Sequence, residues 1–329
     1  MRRVRAGRRL IAFAKKHPRV VVAVQLVVLA VFFVSIGVAL RGSFSDAGDD
    51  LRNANPGYFV LACLAIAAYY LVFVFGWIRI LADWGHHISY PAALRAEMVS
   101  TLAKYIPGGV WTPAARVVAA RRAGIDDAAL VTVSILVEAG ISAVAGVIVF
   151  VVSLAWVRGV DAPIAPLIVF AVVVAAVLHP RIFCPVASRI LRKLGQHTVP
   201  PLRLGTMAFL LVFYCGTWVI GGGGLWLLLR SVGSHPGPSS IVFLGGVAAV
   251  GAIVAVLAVF APSGLGPREA SMYGLMLAIS TEGAALSATV LNRVAITLVE
   301  VALFGVGVLS WRWRPASRDA AGDLVRDAQ

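Results

Sequence analysis

Charge is scarce in this sequence. Of its 329 residues only 13% are Asp, Glu, Lys or Arg, while 60% are hydrophobic. A soluble domain of that length needs a more polar surface, so the balance fits a polytopic membrane protein. Cysteine is scarcer still: Cys63, Cys184 and Cys215 are scattered, with no CxxC pair. That excludes a disulfide framework and a thiolate metal site, and leaves small apolar fillers. The nearest histidines, His86 and His87, are adjacent rather than four apart, so they offer no pair of ligands on one helix face. No GxxxxGK[ST] run occurs, which excludes a Walker-type ATPase. Acidic residues are outnumbered, giving a formal charge of +14. The basic residues flank apolar runs and form no helical stripe, which points to membrane orientation and away from nucleic acid.

Long apolar runs are what the chain has. Segments of spanning length cover 20–40, 57–82, 128–156, 162–178, 204–230 and 284–311, and 239–261 is also long enough. The stretch 90–123 carries Arg95, Glu97, Lys104, Arg116, Arg121 and Arg122. Charges at the bilayer centre cost about 3 kcal/mol or more each, so this stretch must face protein or water. Eight Lys/Arg precede the first run, "LRKLGQHTVPPLR" is basic, and "WRWRPASR" follows the last run. The positive-inside rule then places both termini in the cytoplasm, provided that 90–123 and 239–280 each enter and leave on one side. The N-terminal run is read as a retained span, and Trp311 and Trp313 as interfacial.

Two irregular segments resemble each other. "KYIPGGVWTPAAR" (104–116) and "FAPSGLGPREA" (260–270) align at an offset of 155, with Pro107 on Pro262 and Gly109 on Gly264. Upstream, "GWIRILADWG" parallels "GLWLLLRSVG"; downstream, Ala128-Ala129-Leu130 parallels Ala284-Ala285-Leu286. Asp127 and the Thr281-Glu282 pair stand where a cap would start each following span. The expected architecture is therefore an all-α polytopic membrane protein with about six full spans and two broken, re-entrant hairpins. A cytoplasmic tail (1–19) leads into one membrane domain (20–311), and a second tail (312–329) follows. Repeat one covers about 57–156, the span 162–178 links the halves, and repeat two covers about 204–311. With an odd crossing between them, the repeats are inverted, and matching broken helices point to a binding site between the halves. Gly221 to Gly224 are expected to let helices pack closely.

"KYIPGGVW…AAR", with "PSGLGPREA" and a following span that carries "LNR", resembles the flippase-like transmembrane region of lysylphosphatidylglycerol synthases. The resemblance covers roughly residues 15–312. It implies a stand-alone member without the aminoacyl-transferase domain, and a role in moving lipids between leaflets.

The candidate site follows from the broken helices. Pro107 ends one half-helix and Pro113 starts the next, while Gly108 and Gly109 allow a tight turn and close ligand approach. Lys104 and Arg116 flank that turn and suit a lipid phosphate. Gly264, Gly266, Arg268 and Glu269 form the counterpart, with Arg268 on a phosphate and Glu269 either orienting it or capping its helix. Trp111 closes over a headgroup or anchors the hairpin. Glu138 and Arg293 coincide at the 155 offset, so they are expected as an intramembrane charge pair that serves either transport or locking. Glu300 is a further intramembrane acid without an assigned role.

The expected function is a lipid flippase or lipid-handling transporter for an anionic or lipid-linked headgroup, and not an enzyme. No cofactor and no metal is expected. The expected partner is a membrane lipid with a phosphate-containing headgroup. A membrane-embedded transferase and a scaffold for a separate lipid-modifying enzyme are the alternatives. Composition and the lack of barrel strands point to a bacterial cytoplasmic membrane.

Overall fold

A computed structural model describes residues 48, 50–104, 111–157, 159–160, 164–179, 181–183, 185, 189, 200–258, 261 and 264–312, with 308–312 as backbone only. The run 20–40, the turn residues Pro107, Gly108 and Gly109, Pro262, the side chain of Trp311, and Trp313 lie outside the described residues. Among the described residues are nine helices of ten residues or more, and no strand. They are α1 (Pro56–Asp83), α2 (Tyr90–Ala103), α3 (Trp111–Arg121), α4 (Ala128–Ser153), α5 (Ile164–Leu178), α6 (Leu204–Ser231), α7 (Ser240–Leu257), α8 (Pro267–Met276) and α9 (Glu282–Arg312).

Helices α1, α4, α6, α7 and α9 are long and apolar enough to cross a membrane. The expected runs 57–82, 128–156, 204–230 and 284–311 appear with nearly the expected limits. Helix α5 is shorter than expected for a full crossing. Its 15 residues rise about 22 Å, against a ~30 Å hydrocarbon core. Helix α7, at 18 residues, reaches about 27 Å and stops at Ala258, before the turn that carries Gly264.

Side-chain caps fix where the long helices begin. Asn55 accepts from the N–H groups of Gly57 (2.9 Å) and Tyr58 (3.3 Å), with Pro56 opening α1. Asp127 accepts from Ala129 and Leu130, both at 2.9 Å, and starts α4. The Thr281 hydroxyl accepts from the Ala284 N–H at 3.4 Å at the start of α9. The two caps read from sequence, at 127 and 281, are therefore both present.

The order long helix, two shorter helices, long helix occurs twice: α1–α4, then α6–α9. Packing follows that order. Exchanging α1 with α6, α2 with α7, α3 with α8 and α4 with α9 turns every substantial packing among these helices into another one that is present. Thus α4 packs on α7 and α9 on α2, while α4 packs on α6 and α9 on α1. Helices α1 and α6 pack on each other, run antiparallel, and are both 28 residues long. Their ends are tied reciprocally. The Asn55 N–H donates to the Ser231 carbonyl at 2.7 Å, and the Arg203 N–H donates to Asp83 Oδ2 at 3.0 Å. In each tie the residue preceding one helix reaches the last residue of the other.

Small residues set the closest approaches. A Cβ at Gly222 of α6 would strike the Ile241 carbonyl and the Gly245 backbone of α7. A Cβ at Gly246 would lie 2.9 Å from the Phe150 nitrogen of α4, and one at Gly146 would meet Ala249. Without a hydrophobic drive between helices in lipid, such backbone proximity is what holds a bundle together. Among Gly221 to Gly224 this expectation is met by Gly222 and, against Ile66, by Gly224; around Gly223 there is open space.

Candidate functional site

Charged side chains from three of the short helices, Glu97 of α2, Arg116 of α3 and Glu269 of α8, meet one another or partners on the long helices α4 and α9. Two groups form.

The first group centres on Arg116 of α3, which is only 4% exposed. Its guanidinium pairs with Glu97 of α2 and, at 2.5 Å, with Glu138 of α4. Its Nε donates to the Ser100 hydroxyl at 3.3 Å, and its plane lies over the Trp77 ring at 5.0 Å. Tyr214 of α6 donates to the other Glu138 oxygen at 3.1 Å. The Tyr214 hydroxyl fits because residue 76 of α1 is glycine; a Cβ there would occupy its place. Trp77 Nε1 donates to Ser134 at 2.8 Å, so the ring under Arg116 is itself held. Burying charges in this way is tolerated only with such complete pairing.

The second group lies between the halves. Lys104, at the end of α2, pairs with Glu300 of α9, and Tyr70 of α1 donates to the same carboxylate. Glu269 of α8 accepts from the Gly266 N–H at 2.6 Å, closing the start of its own helix, and pairs with Arg293 of α9 at 3.5 Å. Gly264 and Gly266 hold φ of +67° and +95°, the left-handed region that favours glycine. A Cβ at Gly264 would also lie 2.7 Å from the Ala255 Cα, so the turn rests directly on α7. Arg268 projects from the same turn of α8. Its stem packs beside Gly251 of α7, and among the described residues its guanidinium makes no ion pair.

Several sequence expectations change here. Glu138 and Arg293 do not pair: Glu138 takes Arg116 and Tyr214, and Arg293 takes Glu269. Each bond instead joins a short helix to the long helix that follows it, with the signs reversed between halves. Arg116 does not stand open beside Lys104; two carboxylates, a hydroxyl and an indole enclose it. Glu269 caps α8 and binds Arg293, so it does not orient Arg268. Glu300 acquires a partner, Lys104. Trp111 is 48% exposed at the start of α3. The partners missed from sequence are Tyr70, Tyr214, Trp77 and Ser100. All four read as ordinary apolar or neutral positions until the helices are packed.

Among the described residues no cluster of His, Cys, Asp and Glu could hold a metal ion. No curated protein matches the chain. The family described as the lysylphosphatidylglycerol synthase TM region matches residues 20–305. The chain therefore belongs to that family and is a multi-pass, all-α membrane protein with a membrane-lipid function.

Proposed function

We propose that the protein is a lipid flippase built as an inverted-topology repeat. A phosphate-bearing headgroup enters between the two halves and crosses while its acyl chains stay in lipid. The reciprocal pair of ties between α1 and α6 carries this reading. Each helix is capped by the other's end, so the equivalent helices of the two halves point in opposite directions. Transporters with that relation bind substrate where the halves meet and work by rocking one half against the other. Here the charged side chains of α2, α3 and α8 meet in that region. Lys104 and Glu300 join a short helix of one half to a long helix of the other, as a gate must. The protein acts as a carrier and not as an enzyme. It resides in a bacterial cytoplasmic membrane with both termini inside.

The test uses purified protein in vesicles whose phospholipids carry a fluorescent label, with an impermeant reductant added outside. A flippase exposes the inner-leaflet label, so the bleached fraction rises from about half toward completion. Bleaching that stops at half, from folded and correctly inserted protein, overturns the reading. Mass spectrometry of the recovered lipid separates a carrier from a transferase, since only a transferase changes the lipid mass.

A further inference from the structure

We infer that Lys104 and Glu300 form a proton-coupled anion site: the phosphodiester of a lipid takes Lys104, and Glu300 takes a proton in its place. Each anion then crosses with one proton. This rests on the lipid-handling reading above and deepens it by naming what drives the carrier.

The pair joins α2 of one half to α9 of the other, and its two members differ in access. The Lys104 side chain is 25% exposed, whereas that of Glu300 is 1% exposed. A ligand therefore reaches the ammonium and not the carboxylate. When an anion draws Lys104 away, Glu300 stays behind as a buried charge, which is costly unless it is neutralised. Tyr70 makes the neutral form tolerable. Its hydroxyl donates to the carboxylate, and it can accept from the carboxylic O–H once Glu300 is protonated. The proton arrives through Lys104. The ammonium passes a proton to Glu300 across the bond between them, and the amine left behind takes one from water. The site holds one positive and one negative charge before and after: Lys104 with Glu300, then Lys104 with the phosphodiester.

Helices α1, α2, α6 and α8 pack against α9 and bring other titratable groups toward it. Tyr69 of α1 borders Tyr70, with ring centroids 5.4 Å apart. Glu97 of α2 pairs with Arg116, Tyr214 of α6 bonds Glu138, and Glu269 of α8 holds Arg293. Arg95 of α2 has its stem against Gly307, about 10 Å along α9 from Glu300. Arg268 of α8 has its stem against Gly251 of α7. Arg116 and Arg293 are thus engaged by other carboxylates, and the cation on Glu300 is Lys104. Its loss also loosens one particular contact. The exchange-related contact, α4 on α7, is closed by backbone proximity at Gly146 and Gly246. The contact of α2 with α9 carries the charge pair instead, so anion and proton together unlatch the halves there.

The experiment titrates the full chain, in neutral detergent micelles, with phosphatidylglycerol that carries a tail fluorophore, read by anisotropy. The phosphodiester stays ionised throughout, so any slope with pH belongs to the protein. Affinity is expected to rise about tenfold for each unit that the pH falls between about 8 and 6, because the bound state holds one proton more. A pH dye in weakly buffered solution should record that proton leaving the water. Glu300→Gln cannot take a proton and no longer neutralises Lys104. It should bind at every pH as tightly as wild type does at the lowest, without proton uptake; a pair that only locks the fold gives no such gain. Lys104→Met should lose most of the affinity. Wild-type affinity that is flat with pH overturns the proposal, whether or not the variants fold. Binding without proton uptake means that another cation, such as Arg268, takes Glu300, and overturns the coupling. A slope that persists in folded Glu300→Gln overturns Glu300 as the proton site. The soluble phosphodiester glycerophosphoglycerol, in a further arm, should neither displace the lipid nor cause uptake; if it does, the site serves a free anion and the lipid coupling falls. Vesicle bleaching is read on the same preparations. Slope and uptake without bleaching leave this site standing and remove the flippase; bleaching without them does the reverse.

Discussion

Arg116 is the residue on which the interior charge group depends, and its replacement gives the sharpest test of the packing. Arg116→Met keeps much of the volume and removes the guanidinium. Two carboxylates, on Glu97 and Glu138, are then left in the interior facing each other without a counter-ion. Breaking a buried pair from one side costs about 3–5 kcal/mol, because the abandoned charge is not resolvated. The cation–π contact with Trp77 goes too. Glu138→Gln is a milder change. Arg116 keeps Glu97, and the amide oxygen still accepts from Tyr214. The loss there is that of a hydrogen bond to a charged group, about 1.5–3 kcal/mol. The expected order of stability is thus wild type, then Glu138→Gln, then Arg116→Met. In the triple variant Arg116→Met, Glu97→Gln, Glu138→Gln no charge is stranded. It should recover more than half of the Arg116→Met loss, as a coupling of about 2 kcal/mol or more. Reversible unfolding in mixed micelles, followed by tryptophan fluorescence, measures all four. An Arg116→Met protein as stable as wild type would refute the reasoning. Arg116 would then be free to bind a ligand, as its place in "KYIPGGVWTPAAR" first implied.

Three other outcomes follow from the contacts. Gly222→Ala should cost about 1–3 kcal/mol, since its Cβ meets the α7 backbone, whereas Gly223→Ala, facing open space, should be neutral; the same unfolding assay compares them. Gly76→Ala should drive the Tyr214 hydroxyl off Glu138 and destabilise by a similar amount; combining it with Tyr214→Phe should add little if the two act through one contact. Asp83→Ala should cost about 1–3 kcal/mol, because the Arg203 N–H and the Thr206 hydroxyl both lose their acceptor; Asp83→Asn should lose less. Faster amide exchange at Arg203 in Asp83→Ala would locate that loss at the tie between α1 and α6.

Much of the architecture is legible in the sequence because it depends on neighbours along the chain. Apolar runs of spanning length give the limits of α1, α4, α6 and α9 to within a few residues. Capping is equally local: Asp127 and Thr281 reach N–H groups only two or three residues away. The 155 offset marks equivalent positions in the two halves, and the element order α1–α4 is repeated in α6–α9.

Partner choice is not local, and here only the tertiary structure decides. Glu138 and Arg293 are equivalent by offset, and equivalence alone predicts that they are adjacent. Positions exchanged by a twofold relation touch only where they lie at its axis. The helices that pack on their own equivalents along their length are α1 and α6, and their ends meet reciprocally. Helices α4 and α9 stand away from that line, so Glu138 and Arg293 each take the short helix of their own half: Arg116 for Glu138, Glu269 for Arg293. The same packing assigns Lys104 to Glu300, 196 residues away. The sequence by itself determined that this chain spans a membrane, twice repeats one order of helices, and carries charges that lipid would not accept. Which charges neutralise each other was set by the crossing of helices distant in sequence, where a shift of a few ångströms separates a satisfied ion from an exposed one.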